Sequence, residues 1–382
     1  MTEENDNPVV GLNIPASIGM ELSEVCTPSL IIDLDAFEAN VALLRRRLEA
    51  FGVRLRAHAK THKSVDIARY QVEHGGACGI CCQKVSEAEV MVAGGITDVM
   101  VSNQVVDPGK IARLAAMAAR ARVLVCVDDR QNVEDLSSAA RRLGVNIECL
   151  VEIDCGAGRC GVEPGAPALA LAQQIDASAG LEFAGLQAYQ GAAQHIREFA
   201  ARKSRIDAAI EQARSTVSLL AANGLQCEIV AGAGSGSYYF EAASGVYNEM
   251  QCGSYIFMDA DYQRVLDDSG AGISEFNNSL FIWTSIMSTA KPGRAICDAG
   301  LKVQSVDSGL PVIYRRDDIE YINCSDEHGV IADPHDRLAL NDKLKLVPGH
   351  CDPTCNLHDW YVGIRDNRVE CLWPVSARGM AL

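Results

Sequence analysis

Between residues 53 and 257 a short apolar run gives way to a longer stretch of helical periodicity, and the pattern recurs until eight such runs have passed. The runs cover 53–59, 79–83, 98–103, 122–128, 148–154, 183–189, 228–231 and 249–257. The spacers 85–93, 109–121, 133–143, 166–179 and 203–223 repeat Ala, Leu and Arg at helical intervals. The last spacer, 237–248, is too short and aromatic for a long helix. Eight parallel strands with helices between them predict a closed (β/α)8 barrel. An open doubly wound sheet is the rival, and it has no need for the count to reach eight.

A strand over 29–34 and an amphipathic helix over 34–51 (Leu34, Phe37, Val41, Leu44, Leu48) precede the series. After about residue 275 the period changes. Alternating runs at 280–288, 294–298, 312–314, 319–324, 343–347, 360–365 and 369–373 predict a separate β domain. The acidic, Gly-containing stretch 266–278 reads as the linker.

The net charge of −16 argues against nucleic acid or an anionic membrane as partner, so an anionic substrate needs a locally positive pocket. No apolar run approaches a membrane span, and no basic segment leads into an apolar one, so the expectation is a cytoplasmic protein. Fifteen cysteines then read as free thiols in a reducing compartment. Cys81, Cys82, Cys126 and Cys149 lie inside apolar runs, where cysteine acts as a small hydrophobe.

In a parallel barrel the functional groups gather at the carboxyl ends of the strands. Lys60 stands at the first of these, within Arg54-Leu-Arg-Ala-His-Ala-Lys-Thr-His-Lys63. His58, His62 and Lys63 add positive charge, which favours the free amine that a Schiff-base lysine needs. A solvated basic loop is the plain alternative. Gln83, Asn103, Asp128, the run Asp154-Cys-Gly-Ala-Gly-Arg159, Tyr189, Gln190 and Tyr255 fall at the other ends. That nearly every end is polar points to a bound ligand.

The run Gly232-Ala-Gly-Ser-Gly-Ser237 follows a strand, and its glycines and hydroxyls suit an anion such as phosphate; a flexible turn is the alternative. Residues 156–161 match a dinucleotide fingerprint literally. They belong to the fifth unit of an eightfold series, and Asp176 lies within a helical stretch, so that reading is rejected. Arg159 is the more useful residue there, a fixed cation with a fork of donors. In the β domain Cys351, Cys355 and His358 offer part of a zinc site without a convincing second pair. Alternatively His350 and Asp352 share one face of an extended segment and suit a divalent ion with open positions. A metal-free loop is the third possibility.

Together these residues resemble the fold-type III pyridoxal-phosphate enzymes and, within them, the D-threonine aldolase and D-serine dehydratase branch. That branch has an RPHxKTHK-type lysine motif, an arginine after the fifth strand, a GGGTGS-type phosphate loop and a C-terminal His-x-Asp or His-x-Cys motif. Here they read Arg56-Ala-His-Ala-Lys60-Thr-His-Lys63, Arg159, residues 231–237 and His350-Cys351-Asp352. The likeness extends over Val151-Glu-Ile-Asp-Cys-Gly-Ala-Gly-Arg-Cys-Gly161, Leu186-Gln-Ala-Tyr-Gln-Gly191, Gln251-Cys-Gly-Ser-Tyr255, Phe257-Met-Asp-Ala-Asp-Tyr262 and Val347-Pro-Gly-His-Cys-Asp-Pro-Thr-Cys355. Ala57 replaces the usual proline, and the phosphate loop reads Ala-Gly-Ala-Gly-Ser-Gly-Ser.

The resemblance implies an alanine-racemase-type barrel over 26–270 and a mostly-β domain over 275–382, with the segment 1–25 associated with the latter. It makes Lys60 the lysine that carries pyridoxal 5′-phosphate, and Gly234, Ser235, Gly236, Ser237 and Tyr255 the phosphate site. Arg159 then faces the pyridine nitrogen. Arginine cannot release its proton there, which leaves the ring a weaker electron sink. Tyr189 and Gln83 are candidates to flank the ring and its 3′-oxygen, with a barrel-lining aromatic as the plain alternative for Tyr189. A divalent cation (Mg, Mn or Co) on His350 and Asp352 lowers the pKa of the substrate hydroxyl. His62 is the implied base, with His195 or His328 as alternatives. The implied reaction is retro-aldol cleavage of a D-β-hydroxy-α-amino acid, 3-hydroxy-D-aspartate giving glycine and glyoxylate, with D-threonine as a further substrate. A dehydratase on the same scaffold is the first alternative. A non-catalytic pyridoxal-phosphate-binding protein is the second, and residues 275–382 argue against it. A homodimer is expected.

Overall fold

The computed structural model describes residues 8–382, so the first part of the expected segment 1–25 lies outside the described residues. The strand β1 (Ser29–Asp33) is followed by helix α1 (Leu34–Phe51). Then come β2 (Arg54–His58), β3 (Ala77–Cys82), β4 (Asp98–Gln104), β5 (Arg122–Val127), β6 (Ile147–Glu152), β7 (Leu181–Gln187), β8 (Ile229–Gly232) and β9 (Glu249–Met250). β2 to β9 close a parallel barrel in chain order. The expected (β/α)8 barrel is therefore present. The eighth strand is shorter than the apolar run at 249–257 suggested: it ends at Met250, and a tight helical turn, Ser254–Ile256, follows.

The strands read as continuous apolar runs because both faces are buried, the inner by other strands and the outer by helices. Met100, Leu124, Cys126, Leu150, Ala184, Ile229 and Ala231 form one buried cluster of the barrel. Local chemistry starts the helices. Asp107, Asp129 and Glu198 accept backbone N–H groups at the starts of the helices Pro108–Met117, Arg130–Leu143 and Phe199–Ala222. Gly144 ends the second of these with a left-handed backbone.

The chain separates into two compact units. The barrel unit comprises Val41–Tyr255, Arg264–Ile273 and Gly379–Leu382. Part of the expected linker thus belongs to the barrel: Leu266 N–H donates to Arg197 O, and the buried Arg202 guanidinium donates to Leu266 O at 2.7 Å.

The second unit contains the described residues up to Asn40, Ile256–Gln263 and Ser274–Arg378. Its sheet runs β13 (Glu320–Cys324), β14 (Gly329–Ala332), β11 (Arg294–Cys297), β10 (Leu280–Lys291), β1, β16 (Trp360–Arg365), β17 (Arg368–Pro374). β15 (Lys343–Val347) pairs with β10 and with β12 (Val312–Ile313). β1 lies antiparallel to β10 and parallel to β16. Ile31, Phe281, Trp283, Val347, Val362 and Ile364 belong to its core. β14 has no counterpart among the sequence-predicted runs. No helix among the described residues is long and apolar enough to cross a membrane.

Candidate functional site

Lys60 sits in the turn just beyond β2, at the carboxyl rim of the barrel. The turn is closed by Ala59, whose carbonyl accepts from His62 N–H (3.2 Å) and Lys63 N–H (2.7 Å). His58 Nδ1 faces Lys60 N–H at 3.4 Å, and its Nε2 lies 3.0 Å from Gln83 Nε2. Gln83 also donates to Ser102 Oγ at 3.0 Å. Gln83 therefore stands beside the lysine turn. A Cβ at Gly253 would meet Thr61 Oγ1 at 2.5 Å, so that glycine makes room for the turn.

Two expectations change here. Lys63 adds little positive field, because its ammonium pairs with the buried Glu87 at 2.9 Å. His62 is fully buried, and its Nδ1 accepts from Ser64 N–H at 3.1 Å. That bond fixes the neutral ring's proton on Nε2, where the ring donates and cannot collect a proton. His195 and His328 are both exposed.

Arg159 and Tyr189 come together: the guanidinium carbon lies 5.3 Å from the phenol ring centroid. Glu152, at the end of β6, lies 3.9 Å from Arg159 and accepts from Gln104 Nε2 at 2.7 Å. Burial pushes the Glu152 carboxyl up from its ordinary value. The glycine run after β6 is a turn organised by Asp154, whose Oδ1 accepts from the N–H groups of Gly156 and Gly158. No dinucleotide geometry is needed to explain it.

In the loop after β8, Ser235 Oγ accepts from Tyr255 N–H at 2.9 Å, and the buried Tyr255 hydroxyl accepts from Gln71 Nε2 at 3.0 Å. Gln194 Nε2 donates to Ser237 Oγ at 2.7 Å, and Gln194 Oε1 accepts from Gly236 N–H at 3.2 Å. Ser237 Oγ donates in turn to Glu241 Oε1 at 2.9 Å. A Cβ at Gly234 would meet Gln194 Oε1 at 2.5 Å, and one at Gly232 would meet Ala188 O at 2.6 Å. These two glycines therefore admit the supports beneath the loop.

Sequence reasoning missed Gln194 and Glu241. The family loop pattern ends before Glu241, and a glutamate in the short helix Tyr238–Ala242 reads as a solvated one. Thr61 Oγ1, Gln104 Oε1 and Gln190 Oε1, all at carboxyl ends of strands or just past them, are buried without a hydrogen-bond partner. Buried polar atoms in that state suit a polar ligand such as pyridoxal phosphate.

His350 and Asp352 lie in the second unit. The structure corrects the expected extended segment: Cys351–Cys355 forms a short helix, with His350 as its cap and Asp352 in its first turn. Pro353 is compatible with that first turn, where its missing N–H costs nothing. Alternation along a strand therefore does not relate the two side chains. His350 Nδ1 lies 2.8 Å from Asp307 Oδ2. A carboxylate on one ring nitrogen leaves Nε2 for a metal, the usual support of a histidine ligand. Asp259, fully buried, accepts from Cys351 N–H and Tyr262 N–H, both at 2.9 Å.

One imidazole and one carboxylate suit a hard or borderline dication with open positions. No group of three or more His, Cys, Asp or Glu among the described residues is placed to hold a metal. The zinc alternative finds no support, since Cys351, Cys355 and His358 form no such group and His358 Nε2 faces Val303 O at 2.8 Å.

Residues 32–261 match the family profile described as alanine racemase, N-terminal domain, and residues 279–364 match a serine dehydratase domain. The chain is 57% identical over 373 residues to a 3-hydroxy-D-aspartate aldolase of Paracoccus denitrificans (strain Pd 1222), across 97% of this chain and 96% of that protein. It is 27% identical over 354 residues to the D-threo-3-hydroxyaspartate dehydratase of Delftia sp. (strain HT23), across 86% and 91% of the two. The crystal structure of D-threonine aldolase from Filomicrobium marinum superposes with a TM-score of 0.94 at 47% identity, covering 96% of this chain and all of that one. A shared barrel, a shared β unit and near-complete coverage leave one conclusion: the chain belongs to the alanine-racemase-like family, in the branch that holds the 3-hydroxy-D-aspartate and D-threonine aldolases.

Proposed function

We propose that the chain is a carbon–carbon lyase that cleaves 3-hydroxy-D-aspartate to glycine and glyoxylate, with D-threonine as a further substrate. The observation that carries this is the 57% identity to a 3-hydroxy-D-aspartate aldolase over 97% of the chain, against 27% to a dehydratase.

Lys60 would carry pyridoxal phosphate through its ε-amine. When bound, that cofactor supplies the electron sink for the pair released as the Cα–Cβ bond breaks. Residues 234–237 and Tyr255 would hold the phosphate. Arg159, stacked on Tyr189, is a cation that keeps its proton and would face the ring nitrogen. Gln83 would be held against the ring's oxygen by Ser102 and His58. His350 and Asp352 would bind Mg, Mn or Co, a Lewis acid for the β-oxygen of the substrate. His62 would donate from Nε2 and position an acceptor beside the lysine, because Ser64 N–H occupies its Nδ1. The working species would be a homodimer. All fifteen cysteines are free thiols, which suits the cytoplasm.

The test is product analysis with 3-hydroxy-D-aspartate, pyridoxal phosphate and manganese. Glycine with glyoxylate is expected. Oxaloacetate with ammonia, and no glycine, would favour the dehydratase reading that the match over 279–364 supports. Lys60→Ala is expected to lose the yellow lysine-linked absorbance, whereas His350→Ala keeps it and loses turnover. A persisting lysine-linked chromophore in Lys60→Ala would mean that another lysine serves.

A further inference from the structure

We propose that Glu241 is a proton-linked positioning residue beneath the phosphate loop: it takes up a proton when the phosphate binds and so turns the Ser237 hydroxyl from support to ligand. This rests on the cofactor reading above. The hydrogen-bond polarity of the chain carries the argument. Ser237 Oγ accepts from Gln194 Nε2 and spends its only hydrogen on Glu241 Oε1. A hydroxyl has one donor, so in this arrangement Ser237 has none to offer an anion. A protonated Glu241 reverses the last link. Its O–H donates to Ser237 Oγ, which can accept twice, and the serine hydrogen is released toward a phosphate oxygen. The proton comes from solvent and stays on Glu241, and no other group changes.

The surroundings favour that exchange. Glu241 is almost wholly buried, and its Oε2 has no hydrogen-bond partner, an unfavourable setting for a carboxylate. Burial pushes the carboxyl up to about 7, against the hydrogen bond from Ser237. The titratable groups facing it are the Cys155 thiol, from the segment after β6, and the Tyr247 phenol, from the segment before β9. Burial raises the thiol to about 12 and holds the phenol well above its ordinary value. Both stay neutral near pH 7, and Glu241 alone of the three changes charge there. A phosphate nearby raises it further, by like-charge repulsion. In the window above about 7, binding then consumes one proton, and affinity falls as pH rises, by up to about tenfold per pH unit.

The experiment is a titration of the full-length chain, freed of cofactor, with pyridoxal phosphate from about pH 6.5 to about pH 8.5, on wild type, Glu241→Gln and Ser237→Ala. Ionisation of Lys60 and of the cofactor contributes alike to all three, so the ratio between them isolates Glu241. The glutamine donates to Ser237 at every pH. The expected result is a wild-type dissociation constant that rises relative to that of Glu241→Gln by more than about tenfold across the range. Ser237→Ala, which tests the same link if the glutamine variant fails to fold, is expected to bind about tenfold more weakly than wild type at the acid end and to converge with it at the alkaline end. A constant ratio in either comparison overturns the proposal. Absence of binding by wild type at any pH would instead remove the cofactor reading, and the proposal with it.

Discussion

Gly185 and Gly234 both lack a side chain because something occupies the space, yet the two obstacles differ in kind. A Cβ at Gly185 would stand 1.9 Å from the carbonyl oxygen of Ile229, on a backbone at φ +141° that L residues rarely adopt. Strand-to-strand backbone cannot yield, so Gly185→Ala is expected to cost more than about 3 kcal/mol in urea unfolding or to prevent folding. At Gly234 the obstacle is the tip of Gln194. That side chain can swing away, but it then releases Ser237 and Gly236. Gly234→Ala is therefore expected to fold and to bind pyridoxal phosphate about 3- to 10-fold more weakly, the worth of a hydrogen bond. Loss of stability without loss of affinity would count against this account. The same contrast explains what was readable in advance. Lys60, Arg159, Tyr189, Ser235 and Tyr255 could be picked out because each stands near or just past the carboxyl end of a run with strand periodicity. Gln194 and Glu241 act through Ser237, and a contact between side chains distant in sequence leaves no local pattern.

At the scale of elements, the barrel was readable because burial on both faces makes each strand a nearly unbroken apolar run, as in β5, where five consecutive residues are buried. The sheet of the second unit was harder. β1 has the right composition, but its partners β10 and β16 lie hundreds of residues away, and pairing over that distance is set by the fold as a whole. β14 has only four residues and half of its positions are partly exposed, so it offers no run to detect. The segment 350–355 failed for another reason: His-Cys-Asp alternates in type, yet Asp-Pro at the second and third helical positions starts a helix as readily as it continues a strand. Its geometry depends on two distant carboxylates. Asp259 holds the Cys351 N–H, and Asp307 holds the His350 ring. If His350 is a metal ligand, Asp307→Ala should weaken manganese binding by about 10- to 100-fold in equilibrium dialysis, since an unsupported imidazole rotates freely. Unchanged affinity would show that the ring is held by other means.

Across the whole barrel, the motif that carries Lys60 also carries a residue of opposite purpose. Arg56 is wholly buried, with Glu249 at 2.6 Å on one side and Asp98 on the other. Asp98 also meets Arg122, which pairs with Glu148. The series joins β9, β2, β4, β5 and β6 at the amino ends of the strands, opposite the rim that holds Lys60. It matters most at the seam, where β9 pairs with β2 through only Arg54↔Glu249 and Leu55↔Met250. Arg54 N–H to Asn248 O and His58 N–H to Cys252 O extend that short ladder on either side, and the Glu249 carboxylate compensates a guanidinium that has no access to water. Glu249→Ala would leave that cation buried with Asp98 alone. The expected loss is about 3–5 kcal/mol in urea unfolding, the cost of stripping a buried charge of its partner. Substitution of Arg122, which is more than a third exposed, should cost under about 1 kcal/mol. Equal losses at the two positions would mean that the belt acts as one network and that burial does not grade it. A loss confined to Glu249 would locate barrel closure at the β9–β2 seam, and a barrel that is sealed there can leave its opposite rim polar, glycine-rich and incompletely satisfied.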